Sequence, residues 1–148
     1  MAVFAGGCFW CTEAIFQRLK GVNSTVAGYV DGIESLQINF DPSVISYADL
    51  LEVFFATHDP TSRDRQGADV GQQYRSVVFY TDAKQKEIAQ RQKDQIAGAV
   101  TEINPLTKFV KADAHHQNYY NQNQDAPYCQ LVINPKLKEL QAKFPSYL

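Results

Sequence analysis

The stretch Ala2-Val3-Phe4-Ala5-Gly6-Gly7-Cys8-Phe9-Trp10-Cys11 decides how the chain is read, because an apolar run meets two glycines and then a cysteine pair, with an amphipathic pattern over Glu13 to Lys20 beyond it. That order predicts a strand, a turn and a helix, with Cys8 at the junction. Backbone N–H groups left unpaired at a helix start, together with the helix dipole, stabilise negative charge, so Cys8 is expected to form a thiolate readily. A lone buried cysteine would behave as a small hydrophobe. Two cysteines three positions apart, preceded by glycines and separated by two large aromatics, argue instead for thiol chemistry. Zinc fits less well, because a structural site wants a second closely spaced pair and His116 with Cys129 is an irregular substitute. No metal ligands are therefore assigned.

Outward from that unit, Val22 to Val30 reads as a strand, and Leu36 to Phe40 alternates with period two as another, ended by Asp41-Pro42. Ser46 is a good N-cap for a helix over Tyr47 to Ala56, in which Leu50, Leu51, Phe54 and Phe55 form an apolar stripe for the core. His58 to Gln73 is a long polar loop of the kind that carries function in compact domains. Ser76 to Tyr80 is a strand leading into a helix over Ala83 to Ala97. Val100 to Ile103 and Lys108 to Val110 read as short strands, followed by a polar, helical His115 to Tyr120, the Pro127-Tyr128-Cys129 segment and a last helix from Pro135. The mixed order with hairpin-like neighbours favours an α+β fold over a doubly wound sheet.

With 148 residues, 45% apolar and 20% charged, the chain has the size and composition of one soluble globular domain, 1–148. A net charge of −2 and scattered Lys and Arg argue against nucleic acid and anionic membrane as partners. No apolar stretch approaches the ~20 residues that span a bilayer, and Met1-Ala2-Val3-Phe4 lacks the basic start and long apolar core of a signal peptide. The expectation is a cytoplasmic monomer, in which three cysteines suggest redox chemistry more than structural disulfides.

Several motifs in one order carry a family resemblance. Gly7-Cys8-Phe9-Trp10, Gly28-Tyr29, Phe40 to Tyr47, His58-Asp59-Pro60, Arg65 to Ser76, His116-Gln117-Asn118-Tyr119 and Tyr128-Cys129 together resemble peptide methionine sulfoxide reductase A over nearly the whole chain. With the element order, the resemblance implies a two-layer α/β sandwich, a ferredoxin-like plait with a mixed sheet and an irregular C-terminal segment. It further implies reduction of the S epimer of methionine sulfoxide, free or in proteins, with no bound cofactor and with thioredoxin or another dithiol as external reductant.

A sulfoxide is an apolar thioether tail with one strongly accepting oxygen, so its pocket needs an apolar wall and hydrogen-bond donors. Phe9 and Trp10 can cradle the methyl group on sulfur, although Phe9 would serve equally as a core aromatic. Attack by Cys8 pushes charge onto the oxygen, and the resemblance assigns the proton donor to Glu34, just before the Phe-Asp-Pro strand. Taken alone, Glu34 would be a solvated turn residue. Tyr74 matches a tyrosine that donates to the sulfoxide oxygen, while Asp69, His116, Tyr119 and Tyr128 match residues lining or ordering the pocket. Without the resemblance these would be a loop turn, a solvated histidine face and half-buried aromatics.

The interval Tyr29-Val30-Asp31-Gly32-Ile33-Glu34 is shorter than the family pattern, whose longer stretch supplies a second tyrosine donor with no match here. Either the protein lacks the stretch or the chain as given does. After attack Cys8 becomes a sulfenic acid, which a second thiol must resolve. Cys11 lies one turn along the same helix start. Cys129 matches the family's C-terminal recycling cysteine, but the glycine-free Gln130 to Pro135 makes a large movement toward Cys8 harder, so the lean is to Cys11. A thioredoxin-like disulfide oxidoreductase using Cys8 and Cys11 is the alternative function, and it would have no use for Glu34.

Overall fold

A computed structural model describes residues 1–148. Strand β1 (Ala2–Gly6) is buried along its whole length, as its unbroken apolar run requires, and leads through the glycine turn into helix α1 (Phe9–Phe16). Strands β2 (Val22–Val30) and β3 (Ile33–Phe40) form an antiparallel hairpin, and helix α2 (Tyr47–Thr57) follows. At its start Ser46 accepts from the Asp49 N–H while Asp49 accepts from the Ser46 N–H, a reciprocal cap. The polar segment after α2 folds a small hairpin, β4 (Arg65–Gln66) and β5 (Asp69–Val70), before β6 (Ser76–Tyr80). Helix α3 (Ala83–Lys93), strands β7 (Glu102–Pro105) and β8 (Phe109–Lys111), and helices α4 (Tyr119–Gln122) and α5 (Asn134–Lys143) complete the order.

The main sheet runs β7-β6-β1-β3-β2-β8, with β6 and β7 parallel and the other neighbours antiparallel. Its centre, β1-α1-β2-β3-α2-β6 in spatial order β6-β1-β3-β2, is the ferredoxin-like plait, and the outer strands make the sheet mixed. Alternation along the strands sends Phe4, Ala27, Leu36, Ile38 and Val78 toward α1, α2, Ala89 of α3 and Leu140 of α5. Val3, Ala5, Val30, Ile33, Val77 and Phe79 point to the other face, where Leu106 and Phe109 pack on them. Helices thus stack on one face, giving two layers.

Several elements differ from the sequence expectation: helix α3 ends at Lys93 rather than Ala97, and β7 runs over Glu102–Pro105 rather than Val100 to Ile103. Helix α1 begins at Phe9 and ends at Phe16 rather than spanning Glu13 to Lys20, and it buries even Glu13, so the amphipathic pattern misplaced a helix enclosed on nearly all sides. Strand β3 begins at Ile33, because Asp31 (φ 52°) and Gly32 (φ 78°) close a two-residue hairpin that pairs Val30 with Ile33. The expected helix over His115 to Tyr120 is broken: a 3-10 turn at Ala114–His116 and an extended Gln117 precede the left-handed Asn118 (φ 54°), and α4 starts only after it. No helix is long and apolar enough to cross a membrane.

Candidate active site

Both glycines before Cys8 are required by their surroundings. A Cβ on Gly6 would lie 2.8 Å from the Phe54 ring and 3.2 Å from His58, and Gly7, at φ +93°, would put one 2.7 Å from Gln66 Cγ. The neighbours that press on this turn are themselves fixed. Gln66 accepts from the Asp59 N–H (2.8 Å) and donates to the Asp59 carbonyl (2.6 Å). His58 Nδ1 meets the Phe54 carbonyl at 2.5 Å and Nε2 meets Ser76 Oγ at 2.7 Å, and Ser76 in turn bonds Thr101. Burial pulls the His58 pKa down to about 4, so the ring is neutral; Nδ1–H then donates to the carbonyl and Nε2 accepts from the hydroxyl. The His58-Asp59-Pro60 and Arg65-Gln66-Gly67 motifs therefore support the turn that presents Cys8.

Cys8 is the N-cap of α1 and half-exposed, with Cys11 buried one turn on. Ready ionisation of Cys8 is opposed by its surroundings. The neighbouring Cys11 sulfur raises the Cys8 pKa; burial and the negative charges of Cys11 and Glu34 add to this, and the Trp10 N–H works the other way. Cys11 is lowered to about 7, first by the Cys8 thiol, with Lys136 and the Tyr128 hydroxyl assisting against burial. The two thiols titrate as one system, so that the first negative charge belongs to the pair. Helix geometry sets residues three apart at about 5 Å between Cα atoms, within the span of a disulfide.

Glu34 is buried beside this pair. Its Oε1 accepts from the Phe9 N–H (3.2 Å) and its Oε2 from the Gln73 amide (3.2 Å). Desolvation raises its pKa against the pull of those two bonds, so the carboxyl retains its proton above the ordinary glutamate range. Tyr74, on the 3-10 turn Gln72–Tyr74, lies close enough to feel the charges of Glu34, Asp69 and Cys8. Asp69 accepts from the Tyr128 hydroxyl (2.7 Å), which lies 3.4 Å from Cys11 Sγ. Trp10 stacks on Tyr119 (3.8 Å between centroids, planes 10° apart), meets Tyr128 edge-on, and donates from Nε1 to His116 Nδ1 (3.3 Å). Burial lowers the His116 pKa and keeps that nitrogen an acceptor.

The structure thus brings together Cys8, Phe9, Trp10, Cys11, Glu34, Asp69, Tyr74, His116, Tyr119 and Tyr128. Cys129 stands apart from the surface of this cluster. It is fully buried, packed with Cys11, Ala14 and Ile133, and its pKa is raised by that burial. His116 and Cys129, the irregular zinc pair, are respectively held by Trp10 and enclosed in this apolar patch.

Sequence reasoning missed the residues that hold the cluster in place. Gln73 holds Glu34. Gln117 accepts from the Ala27 N–H and donates to the carbonyls of Ala27 and Ala112, so its side chain extends the edge of β2. The buried Glu13 accepts from the Asn118 N–H (2.6 Å) and from Thr25 (2.8 Å), pinning the left-handed residue that separates His116 from Tyr119. The signal available was position inside the motifs, since Gln73 and Gln117 sit beside the residues that were chosen.

Known proteins share this architecture and sequence. A family model described as peptide methionine sulfoxide reductase matches residues 1–34 and 31–147. The peptide methionine sulfoxide reductase MsrA of Chromobacterium violaceum is 46% identical over 171 aligned positions, covering 99% of this chain and 97% of that protein. Its counterpart from Thermus thermophilus is 44% identical, covering 100% and 97%. Among solved structures, reduced Mxr1 from Saccharomyces cerevisiae superposes with a TM-score of 0.78 at 27% identity, covering 86% of this chain and 87% of that one. Mxr1 in complex with Trx2 superposes at 0.59 with 26% identity, covering 80% and 82%. The family match breaks at residues 31–34, where Asp31-Gly32 closes its hairpin in place of a longer stretch in the relatives.

Proposed function

The chain belongs to the peptide methionine sulfoxide reductase A family, and we propose that residues 1–148 act as one catalytic domain in which Cys8 attacks the sulfur of the S epimer of methionine sulfoxide while Glu34 protonates its oxygen. The enzyme is a thiol-dependent reductase that repairs oxidised methionine and is recycled by thioredoxin. The observation that carries the assignment of roles is the buried Glu34 bonded to the N–H of Phe9, the residue next to Cys8, with desolvation raising its pKa.

Phe9, Trp10 and Tyr119 form the apolar wall for the thioether, with His116 orienting Trp10 and Tyr128, itself held by Asp69, closing the Cys11 side. Cys8 attacks as the thiolate of the coupled pair. Tyr74 donates to the oxygen as charge develops there. The oxygen ends on Cys8 as a sulfenic acid and methionine leaves. Cys11 then attacks Cys8 sulfur, water departs, and a Cys8–Cys11 disulfide remains for thioredoxin. Cys129, enclosed behind Cys11, takes no direct part in that first disulfide. The enzyme works as a cytoplasmic monomer without a bound cofactor.

An assay against separated S and R epimers tests the assignment. Methionine release from the S epimer alone, abolished in a single turnover by Cys8→Ser, is the expected result; equal rates on both epimers, or equal rates of generic disulfide reduction, would overturn it.

A further inference from the structure

Glu34 stands near the turn of the β2–β3 hairpin, and the register sets Tyr29 directly opposite it. In a hairpin closed by two residues, the flanking pair, here Val30 and Ile33, exchanges the hydrogen bonds, so the next pair, Tyr29 and Glu34, is of the non-bonded kind in which side chains approach most closely. Cross-strand partners share a face. This face is the one α1 covers, since Ala27, Leu36 and Ile38, in alternation with Tyr29 and Glu34, belong to the core under the helices.

The Tyr29 ring meets Phe9 edge-on, with centroids 5.4 Å apart, so it extends the aromatic wall beside the nucleophile. The same Phe9 donates its N–H to Glu34. One residue of α1 therefore touches both members of the cross-strand pair. Burial and the charges of Glu34, Asp113 and Cys8 all raise the Tyr29 pKa, which keeps the phenol a hydrogen-bond donor. Glu34 spends its two oxygens on Phe9 and Gln73, leaving the Tyr29 hydroxyl free of it.

We propose that Tyr29 is a further catalytic residue, whose hydroxyl donates to the sulfoxide oxygen alongside Tyr74 and Glu34. The reasoning rests on the sulfoxide reductase reading above. A sulfoxide oxygen taking on negative charge has room for several donors, and Tyr29 and Tyr74 approach it from the hairpin and from the 3-10 turn respectively. Glu34 delivers the proton between them. The tight Asp31-Gly32 turn makes this possible by fixing the Tyr29–Glu34 register with one residue on each strand between the pair and the turn.

The test is single-turnover methionine release from the S epimer by wild type, Tyr29→Phe, Tyr74→Phe and the double variant, with KM and kcat resolved for each. Tyr29→Phe retains the ring on Phe9 and deletes only the donor. Its single-turnover rate should fall on the order of 10-fold to 10²-fold, with KM changed little, because the bond strengthens as charge develops. Reduction of the preformed oxidised enzyme by thioredoxin should proceed at the wild-type rate. An active wild type with an unchanged Tyr29→Phe rate would overturn the proposal alone, reducing Tyr29 to a packing residue. A uniform rise in KM with kcat intact would do the same. Failure of wild type to release methionine would instead overturn the reductase reading, and this proposal with it.

Discussion

Replacing Glu34 by Gln separates proton transfer from structure, because the buried carboxyl holds only two protein partners. Oε1 accepts from the Phe9 N–H and Oε2 from the Gln73 amide, each at 3.2 Å. In Glu34→Gln the new carbonyl still accepts from Phe9, and its NH₂ faces Gln73, which can turn its own amide to present oxygen. Both bonds survive, so the stability change should stay below about 1 kcal/mol. The variant still donates a hydrogen bond to the sulfoxide oxygen but cannot deliver a proton. General acid catalysis contributes on the order of 10²-fold or more, which corresponds to roughly 3 kcal/mol of barrier. Rapid-quench measurement of methionine formed in the first turnover, beside a denaturant unfolding curve, gives both quantities. A first-turnover rate within a few-fold of wild type would refute the acid role, and a stability loss as large as the kinetic one would show that Glu34 acts by holding the Phe9 end of α1.

Cys11→Ser should leave the first turnover within a few-fold of wild type yet abolish thioredoxin-driven cycling, with dithiothreitol restoring turnover; finding Cys8 joined mainly to Cys129 by peptide mapping would refute Cys11 as the resolving thiol. Gly7→Ala forces a side chain into φ +93° and to 2.7 Å from Gln66, so it should cost about 1–3 kcal/mol in unfolding free energy and lower activity together with it; a variant of wild-type stability would show that the turn relaxes freely. His58 sits near pKa 4 in the fold against 6.5 when free, so it is neutral in the folded state while the unfolded chain takes up a proton as pH falls below 6.5. Its contribution, up to about 3 kcal/mol, is present above pH 6.5 and lost on acidification toward pH 4, whereas the raised carboxyls of Glu13 and Glu34 act in the opposite sense. Unfolding curves of wild type and His58→Gln across this range should show the steeper acid loss only in wild type, and parallel curves would refute it.

The plait was legible where periodicity and capping agree. Ser76 to Tyr80 and the Ser46 cap fall where the sequence puts them, since a buried strand and a capping box are local patterns. Helix α1 was misplaced because its burial comes from the sheet beneath and the C-terminal segment above, which no helical period encodes. The Asp31-Gly32 dipeptide is a strong hairpin signal, and reading it would have put Tyr29 opposite Glu34 from sequence alone. At the site, motif positions indicated which residues gather. The coupling of the Cys8 and Cys11 titrations was not legible, because the Tyr128 hydroxyl and Lys136 also bear on it, and both arrive from the far end of the chain.

That coupling has a chemical consequence. Reducing a sulfoxide to a thioether removes its oxygen as water, which takes two electrons and two protons, and the Cys8 and Cys11 thiols hold both when they end as a disulfide. The protons must reach the oxygen at different times. Glu34 supplies the first during attack, while the second stays on the Cys11 thiol. When Cys11 later attacks the sulfenic acid, its proton goes to the departing hydroxide, which leaves as water, and Tyr128, bonded to Asp69 and 3.4 Å from Cys11 Sγ, stands beside that transfer. The buried acids Cys8, Cys11 and Glu34 accordingly need not carry more than one negative charge among them at any step. An uncharged substrate then enters a site whose charge is moved by protons alone, and the cost of burying a second anion is avoided.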